Sequence, residues 1–366
     1  MNNPHLRMCR KIHPVGQGAM YSESFYEGDE PMMVVLYDCG AKNHKECLER
    51  EIKSLGRADH LFISHFHYDH ISGVKRLISE YDLKSIHIPR VTPSQFLFDI
   101  VCNVLAEGTL SGSISFMYSV LQVLSNPEEH GGRHDSMDNR LDNLWDGVER
   151  HSHGVPVIRL HSGGTCYADV FRGGILWCYD VIENTCQSRE EIDLMAEILD
   201  LLHIAYVRDS DKFQPEAWYK ELVAAFNDKK NLDAVKSLYA KKFPGGHNSY
   251  SMMVHSHRYV FPPEIDSPEL HDFDCLYTGD AELTESNVDE IVRIAPRYIQ
   301  VPHHGSGKNH VSRIYHSHQT AFISVGENNH YHHPSLCALD EIVNTCAETH
   351  VVTEKGQAYE KEYVFV

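Results

Sequence analysis

The chain has 366 residues, 42% hydrophobic and 23% charged, which is the balance of a folded protein able to bury a large core and excludes a disordered or fibrous class. Its formal net charge of −19 argues against non-specific coating of nucleic acid, which needs a basic surface, yet leaves a nuclease open because bound divalent cations reverse the local field. There is no membrane-length apolar run, no export signal is read at the start, and the ten cysteines form no C-x-x-C pair, so a cytoplasmic protein with reduced thiols and no membrane partner is expected.

In chain order, CRKIHPV and AMYSESFYE read as strands flanking the turn Gly16-Gln17-Gly18, and PMMVVLYDCG as a buried strand ending in Asp38 and Gly40. HKECLEREIKSL has helical spacing at Cys47, Leu48, Ile52 and Leu55. HLFISH reads as another buried strand, and DHISGVKRLISEY as one helix with Ile71, Val74, Leu77 and Ile78 inward. KSIHIPR, at 84–90, reads as the next strand. The pattern then changes. Helices are predicted at PSQFLFDIVCNVLAEG and SISFMYSVLQVLSN, a polar loop at PEEHGGRHDSMDNRLDN, strands within 155–183, and two helical stretches before Pro244-Gly245-Gly246. Strand and turn signals return from His247 in NSYSMMVHS, DCLYTGD, PRYIQVPHHGS, TAFISVGENN and THVVTEKG. The expectation is a single α/β domain over 1–366, its core built from the two ends, with a mostly helical insertion at 91–243.

The loop leaving HLFIS carries the chemistry: His65, His67, Asp69 and His70 form H-x-H-x-D-H between a buried strand and a helix. Alternate residues of an extended loop project to one side, and Asp69 and His70 can reach a point beyond it, an arrangement suited to two adjacent metal ions. Imidazole with carboxylate is a ligand set for zinc, and also for manganese or iron. With 27 histidines in the chain, chance produces this pattern in roughly one such sequence in a hundred, so a metal site is the stronger reading. The pairs His151/His153, His255/His257 and His316/His318 share H-x-H spacing but lack the following D-H, and are read as lying outside the catalytic centre. Trp145, Trp177 and Trp218 fall in the insertion, as core residues or substrate contacts.

These residues resemble the metallo-β-lactamase superfamily, whose pattern is an early aspartate, H-x-H-x-D-H, a later histidine, a later aspartate and a last histidine. The resemblance is closest to the soluble metallo-β-lactamase-like domain of the bacterial competence DNA-uptake channel protein and its stand-alone relatives. It is carried by PVGQGAMYSESF, N-x-x-S as NSYS, T-G-D-A-E, V-P-H-H-G-S and the N-x-x-x-H-P of NNHYHHPS, and nothing in it accounts for 91–243. It implies an αββα sandwich with Asp38 as the early, mainly structural aspartate. It also implies His65, His67 and His247 on one metal, Asp69, His70 and a histidine of 303–304 on the other, and Asp280 bridging. His304 is preferred as that ligand because V-P-H-H-G aligns with the V-P-G-H-G of related enzymes; His303 would then contact substrate or support the ligands. His333 is a candidate to touch a phosphate oxygen or protonate the leaving group, and Asp69 to orient the attacking water or take its proton.

The implied function is a hydrolase with two divalent ions, Zn2+ first and Mn2+ or Fe2+ next, activating a bridging water. A phosphodiester of a nucleic acid or nucleotide is the preferred substrate. The alternatives are another ester (lactone, thioester or phosphocholine type), or a metal-containing subunit of a prokaryotic defence or regulatory assembly with the insertion as a protein-partner surface.

Overall fold

Burial along the strands shows how the layers are stacked. β1 (Leu6–Ile12) alternates buried and half-buried residues along its length, so one face lies on a core and the other is partly wet. β3 (Pro31–Cys39) is buried from Met33 onward, and β4 (His60–Phe62) and β5 (Ser85–Pro89) are buried throughout, the pattern of strands covered on both faces. The structure, a computed structural model, describes residues 6–89, 91, 93–107, 116–117, 120, 136–140, 156–160, 165–171, 175–185, 189–204, 215–243, 250–259, 272–308 and 310–365.

The first sheet adds β2 (Met20–Glu27), β6 (Ser136–Arg140), β7 (Pro156–Leu160) and β15 (Tyr359–Phe365), in the order β15-β1-β2-β3-β4-β5-β7-β6. The second contains β8 (Thr165–Phe171), β9 (Ile175–Thr185), β10 (Tyr250–Tyr259), β11 (Cys275–Tyr277), β12 (Tyr298–Gln300), β13 (Thr320–Ser324) and β14 (Glu348–Val352), in the order β14-β13-β12-β11-β10-β9-β8. Strands β3, β4, β5 and β7 run parallel in one sheet and β11 to β14 in the other, while β9 and β10 pair antiparallel from Thr185↔Tyr250 to Leu176↔Tyr259.

Three apolar cores separate four layers. Val34, Leu36, Leu61 and Ile86 of the first sheet pack outward against α1 (Lys45–Ser54), α2 (Tyr68–Ile71), α3 (Val74–Glu80) and α4 (Pro93–Glu107). The same core takes in α5 (Arg189–Leu201), α6 (Pro215–Phe226) and α7 (Lys229–Lys242). Between the sheets lie Met8, Phe25, Val35 and Phe62 from one side and Trp177, Val254, Tyr277 and Phe322 from the other. On the far side, Met253, Leu276, Ile299 and Ala321 meet Val288 and Ile291 of α8 (Glu285–Ile294) and Ile342 of α9 (Leu336–Thr345). This is the αββα sandwich. Trp177 is a core residue, fully buried between the sheets.

Several expectations change locally. The single helix expected over DHISGVKRLISEY is two, α2 and α3, because at the break the Gly73 amide donates to Cys39 O (2.8 Å), and a β-carbon on Gly73 would lie 2.8 Å from Cys39 Sγ. The polar loop expected at 127–143 contains β6, which among the described residues is an edge strand paired with β7, a position where polar residues are tolerated. The second of the two helical stretches expected before Pro244, which starts at Pro215, breaks at Asn227-Asp228, where the Asp228 carboxylate accepts from Lys230 N and caps α7. Strand β15, which had no counterpart in the sequence reading, pairs with β1 over Leu6↔Phe365 to Ile12↔Tyr359 and so joins the two ends of the chain. Most of the helix expected at SISFMYSVLQVLSN lies outside the described residues. Residues 91–243 hold α4 to α7 and also strands β6 to β9, of which β7 extends the first sheet and β8 and β9 the second. Among the described residues, no helix is long and apolar enough to cross a membrane.

Candidate metal centre

The chain leaves the C-terminal ends of β3, β4, β11 and β12 in four turns that meet at one end of the sandwich, the usual position for a site in parallel α/β layers. Asp38, near the end of β3, is fully buried and anchors the cluster. Its Oδ1 accepts from Ser64 N (2.8 Å), and its Oδ2 accepts from Ser64 Oγ (2.7 Å) and from His70 Nδ1 (2.8 Å). That last bond fixes the tautomer of His70 and turns Nε2 toward the site, the carboxylate–histidine arrangement found behind many metal ligands. His304 is held in the same way: Nδ1 donates to Ser324 O of β13 at 2.7 Å and Nε2 faces inward.

Asp280 stands at the centre. Its Oδ1 is 3.3 Å from His70 Nε2 and 3.7 Å from His304 Nε2, and its Oδ2 is 3.9 Å from His65 Nε2 and 3.7 Å from His303 Nε2. Asp69 Oδ2 lies 3.9 Å from His304 Nε2, and the His67 ring is 4.6 Å from that of His65. Two groups of ligand atoms result, His65/His70/Asp280 and Asp69/His70/His304, each spanning no more than 4.8 Å. Gly279 makes the turn: its φ of +54° is left-handed, and a β-carbon there would come within 2.2 Å of Ser251 Oγ and 2.6 Å of Ser64 Cβ, so only glycine lets Asp280 follow β11 this closely.

The electrostatics fit a cation. Burial holds His65 and His304 below their usual pKa and His67 at about 4, so these imidazoles are neutral, as ligation requires. At His70 burial also opposes charge, but Asp280 and Asp38 outweigh it and raise the pKa well above normal. At Asp280 burial is outweighed by His303, His70 and His304, which keep the carboxylate ionised. The direct test of fit is hydrogen bonding: Nε2 of His65, His70 and His304 are all buried and make no hydrogen bond. Three imidazole nitrogens left in this state around two carboxylates are costly in an apolar interior and are well used as metal ligands.

The residues singled out in the sequence therefore divide. His65, His67, Asp69, His70, Asp280 and His304 are brought together, whereas His247 lies outside the described residues. His304 rather than His303 joins a ligand group. His303, 24% exposed, faces Asp280 on one side and the ring of His333, 5.5 Å away, on the other. His333 is positioned by Asn329, whose amide accepts from His333 N (2.9 Å) and donates to His333 O (2.7 Å), which explains the N-x-x-x-H spacing. Sequence reading missed the rim pair Lys42 and Tyr331. The Lys42 ammonium donates to the Tyr331 hydroxyl and lies 4.6 Å from its ring centroid, and Tyr331 stacks on His333. A lone lysine in a loop gives no pattern to detect. His255 and His257 belong to another cluster, with Asp180.

Because Asp38 holds His70 from behind, Asp38→Asn is expected to weaken metal binding by roughly 10–100-fold while the protein stays folded. Competition against a chromophoric chelator measures this, and unchanged affinity would remove Asp38 from any role in orienting His70.

Residues 31–215 match a family model described as the metallo-beta-lactamase superfamily. That span is half the chain, and the protein belongs to this superfamily, whose members are hydrolases. A comparison with curated proteins gives no match. Among solved structures, the chain is similar to the metallo-beta-lactamase fold protein YhfI from Bacillus subtilis, with 9% identity over 98% of this chain and 100% of that one and a TM-score of 0.43. It is also similar to the archaeal superfamily protein ST1585 from Sulfolobus tokodaii, with 12% identity over 80% and 77% of the two chains and a TM-score of 0.30. A long form RNase Z from yeast aligns at 7% identity over 89% of this chain and 38% of that one, with a TM-score of 0.34.

Proposed function

We propose that the protein is a dinuclear metal-dependent phosphodiesterase acting on a nucleic acid or nucleotide, in the manner of the DNA-uptake channel domains whose motifs it resembles. The observation that carries the metallohydrolase reading is the convergence of three buried, hydrogen-bond-free imidazole nitrogens on Asp69 and Asp280. His65, His67, Asp69, His70, Asp280 and His304 would hold the ions, Zn2+ by preference, with His247 completing the set. Bound ions supply a nucleophile at neutral pH by lowering the pKa of water, and polarise the ester oxygen. Asp69, ionised because His70 and His304 outweigh its burial, is placed to orient the attacking water or take its proton. His333, held at about 4 by burial and by His303, is neutral at pH 7, which suits it to hydrogen-bond a substrate oxygen beside His303.

The rim favours an anionic ester. Lys42 is held in its charged form: burial works against this, but Asp69 and Tyr331 outweigh it. A cation near Asp69 beside the metal centre is well placed to meet a phosphodiester oxygen. The chain is taken as one cytoplasmic domain, with 91–243 shaping access to the site.

The test is hydrolysis of bis(p-nitrophenyl) phosphate and of single- and double-stranded oligonucleotides with added Zn2+ or Mn2+, run beside lactone, thioester and phosphocholine panels. Metal-dependent turnover of phosphodiesters is expected, with Lys42→Ala raising KM about 10-fold and leaving kcat within a few-fold, as for loss of one charge-assisted contact. Turnover of a carbon ester alone would reject the phosphodiester reading. Metal binding without turnover of any ester would favour an assembly subunit.

A further inference from the structure

The second sheet carries another group of ligand-type side chains at the opposite end of its strands from Asp280. Val254, Trp177 and Tyr179 belong to the core between the sheets, so alternation places His255, His257, Cys178 and Asp180 on the other face of β9 and β10. His255 stands opposite Asp180 in the strand register and His257 opposite Cys178. Asp274 enters from the start of β11, where Cys275 pairs with Ser256. The catalytic-end contact on the same strands is Asp280 N to Ser251 Oγ, so the strands themselves separate the two clusters.

The geometry could hold a metal ion. One ligand atom from each of Asp180, His255 and His257 lies within 4.8 Å of the others. His257 Nε2 is 2.9 Å from Asp180 Oδ2, and the two imidazoles are stacked with centroids 4.5 Å apart and planes inclined by 14°. Asp274 Oδ2 stands 3.4 Å from His255 Nε2. Ion pairs join His257 to Asp180 and His255 to Asp274, but the second is long at 3.4 Å. His255 is only 9% exposed, and its Nε2 makes no hydrogen bond although carboxylates flank it. A buried imidazole nitrogen in this position is better satisfied by a shared cation than by either neighbour alone.

We propose that Asp180, His255, His257 and Asp274 form a second, structural metal site, taking one Zn2+ or a similar transition-metal ion and clamping β9, β10 and β11 together. With Asp274 joining through its place beside His255, two imidazoles and two carboxylates would make up a tetrahedral set with no open position for substrate, so the ion would stabilise the sheet and take no part in hydrolysis. The site stands independently of the substrate proposed above.

Metal content of the full-length protein tests it. After chelator treatment and reconstitution with Zn2+ followed by gel filtration, elemental analysis is expected to give one ion fewer per chain for Asp180→Asn and for His257→Gln than for the wild type. Hydrolytic activity should stay within two-fold, and Zn2+ should raise the melting temperature of these variants less than that of the wild type. A second arm uses Co2+ in the Asp280→Asn/His70→Ala protein, whose catalytic centre is disabled. Tetrahedral Co2+ absorption bands should remain there and vanish on adding His257→Gln, so a folding defect in one variant does not decide the outcome. Equal stoichiometry in wild type and variants, or no Co2+ bands in the second arm, overturns the site.

Discussion

Asp280→Asn is expected to abolish hydrolysis, with kcat/KM falling by about 10^3-fold or more, because in the proposed reading this carboxylate would hold the metal that supplies several kcal/mol of transition-state stabilisation. Its two oxygens face His65, His70, His303 and His304 within 3.9 Å. Asparagine keeps the shape and, through the main chain, the bond from Asp280 N to Ser251 Oγ, so the turn after β11 should survive. What it removes is the negative charge between four imidazoles and the second oxygen able to bridge. Metal content should therefore fall together with activity while the circular dichroism spectrum and melting temperature stay close to those of the wild type. Activity within ten-fold of wild type at full metal occupancy would show that Asp280 is not needed to hold the ions. Full occupancy with no activity would move it from metal binding to chemistry.

How far this site could be read from sequence depended on distance along the chain. His65, His67, Asp69 and His70 are neighbours, so their spacing alone pointed to metal, and their place between β4 and α2 follows from the change in hydrophobic periodicity. Asp280 and His304 became candidates only through resemblance, since no local pattern distinguishes an aspartate after one strand from an aspartate after another. Resemblance favoured His304 over His303, but the physical reason for that choice lies in the fold. Both take left-handed backbone conformations, φ 49° and 53°, and it is Ser324 O of β13, twenty residues away, that bonds His304 Nδ1 and selects its ring as the inward one. The Asp180–His255–His257 group was half visible as H-x-H, but its carboxylate is supplied by the register between β9 and β10. At fold level the four layers were implied by the motif set. Strand β15 and the entry of β7 to β9 into both sheets were not, because pairing partners far apart in sequence leave no periodic trace.

The largest effect on stability is expected between the sheets, where Arg10 and Glu23 form an ion pair that is almost wholly buried, with side chains 0% and 2% exposed. Glu23 Oε1 accepts from Arg10 Nε (3.0 Å) and Nη2 (2.8 Å) and from the Tyr277 hydroxyl (3.0 Å), while Oε2 accepts from Tyr179 (2.8 Å) and from Ser256 Oγ (2.6 Å). Arg10 also donates to Phe273 O (2.8 Å) and to the Tyr363 hydroxyl (3.3 Å), so β1 and β2 of one sheet are tied to β9, β10 and β11 of the other and to β15 at the edge. Desolvating both charges makes the net gain from the pair small, whereas removing one partner strands the other. Glu23→Ala is therefore expected to cost about 3–5 kcal/mol, a large share of the roughly 5–15 kcal/mol that holds a typical domain folded. Arg10→Met in the same background should recover part of that loss by removing the uncompensated guanidinium. Recovery should stay incomplete, because Tyr179, Tyr277 and Ser256 still lack their acceptor. Urea unfolding of the two single variants and the double variant gives the coupling energy directly. A loss below about 1 kcal/mol for Glu23→Ala would mean that water or a neighbouring group relaxes into the space and that this network does not hold the sheets together.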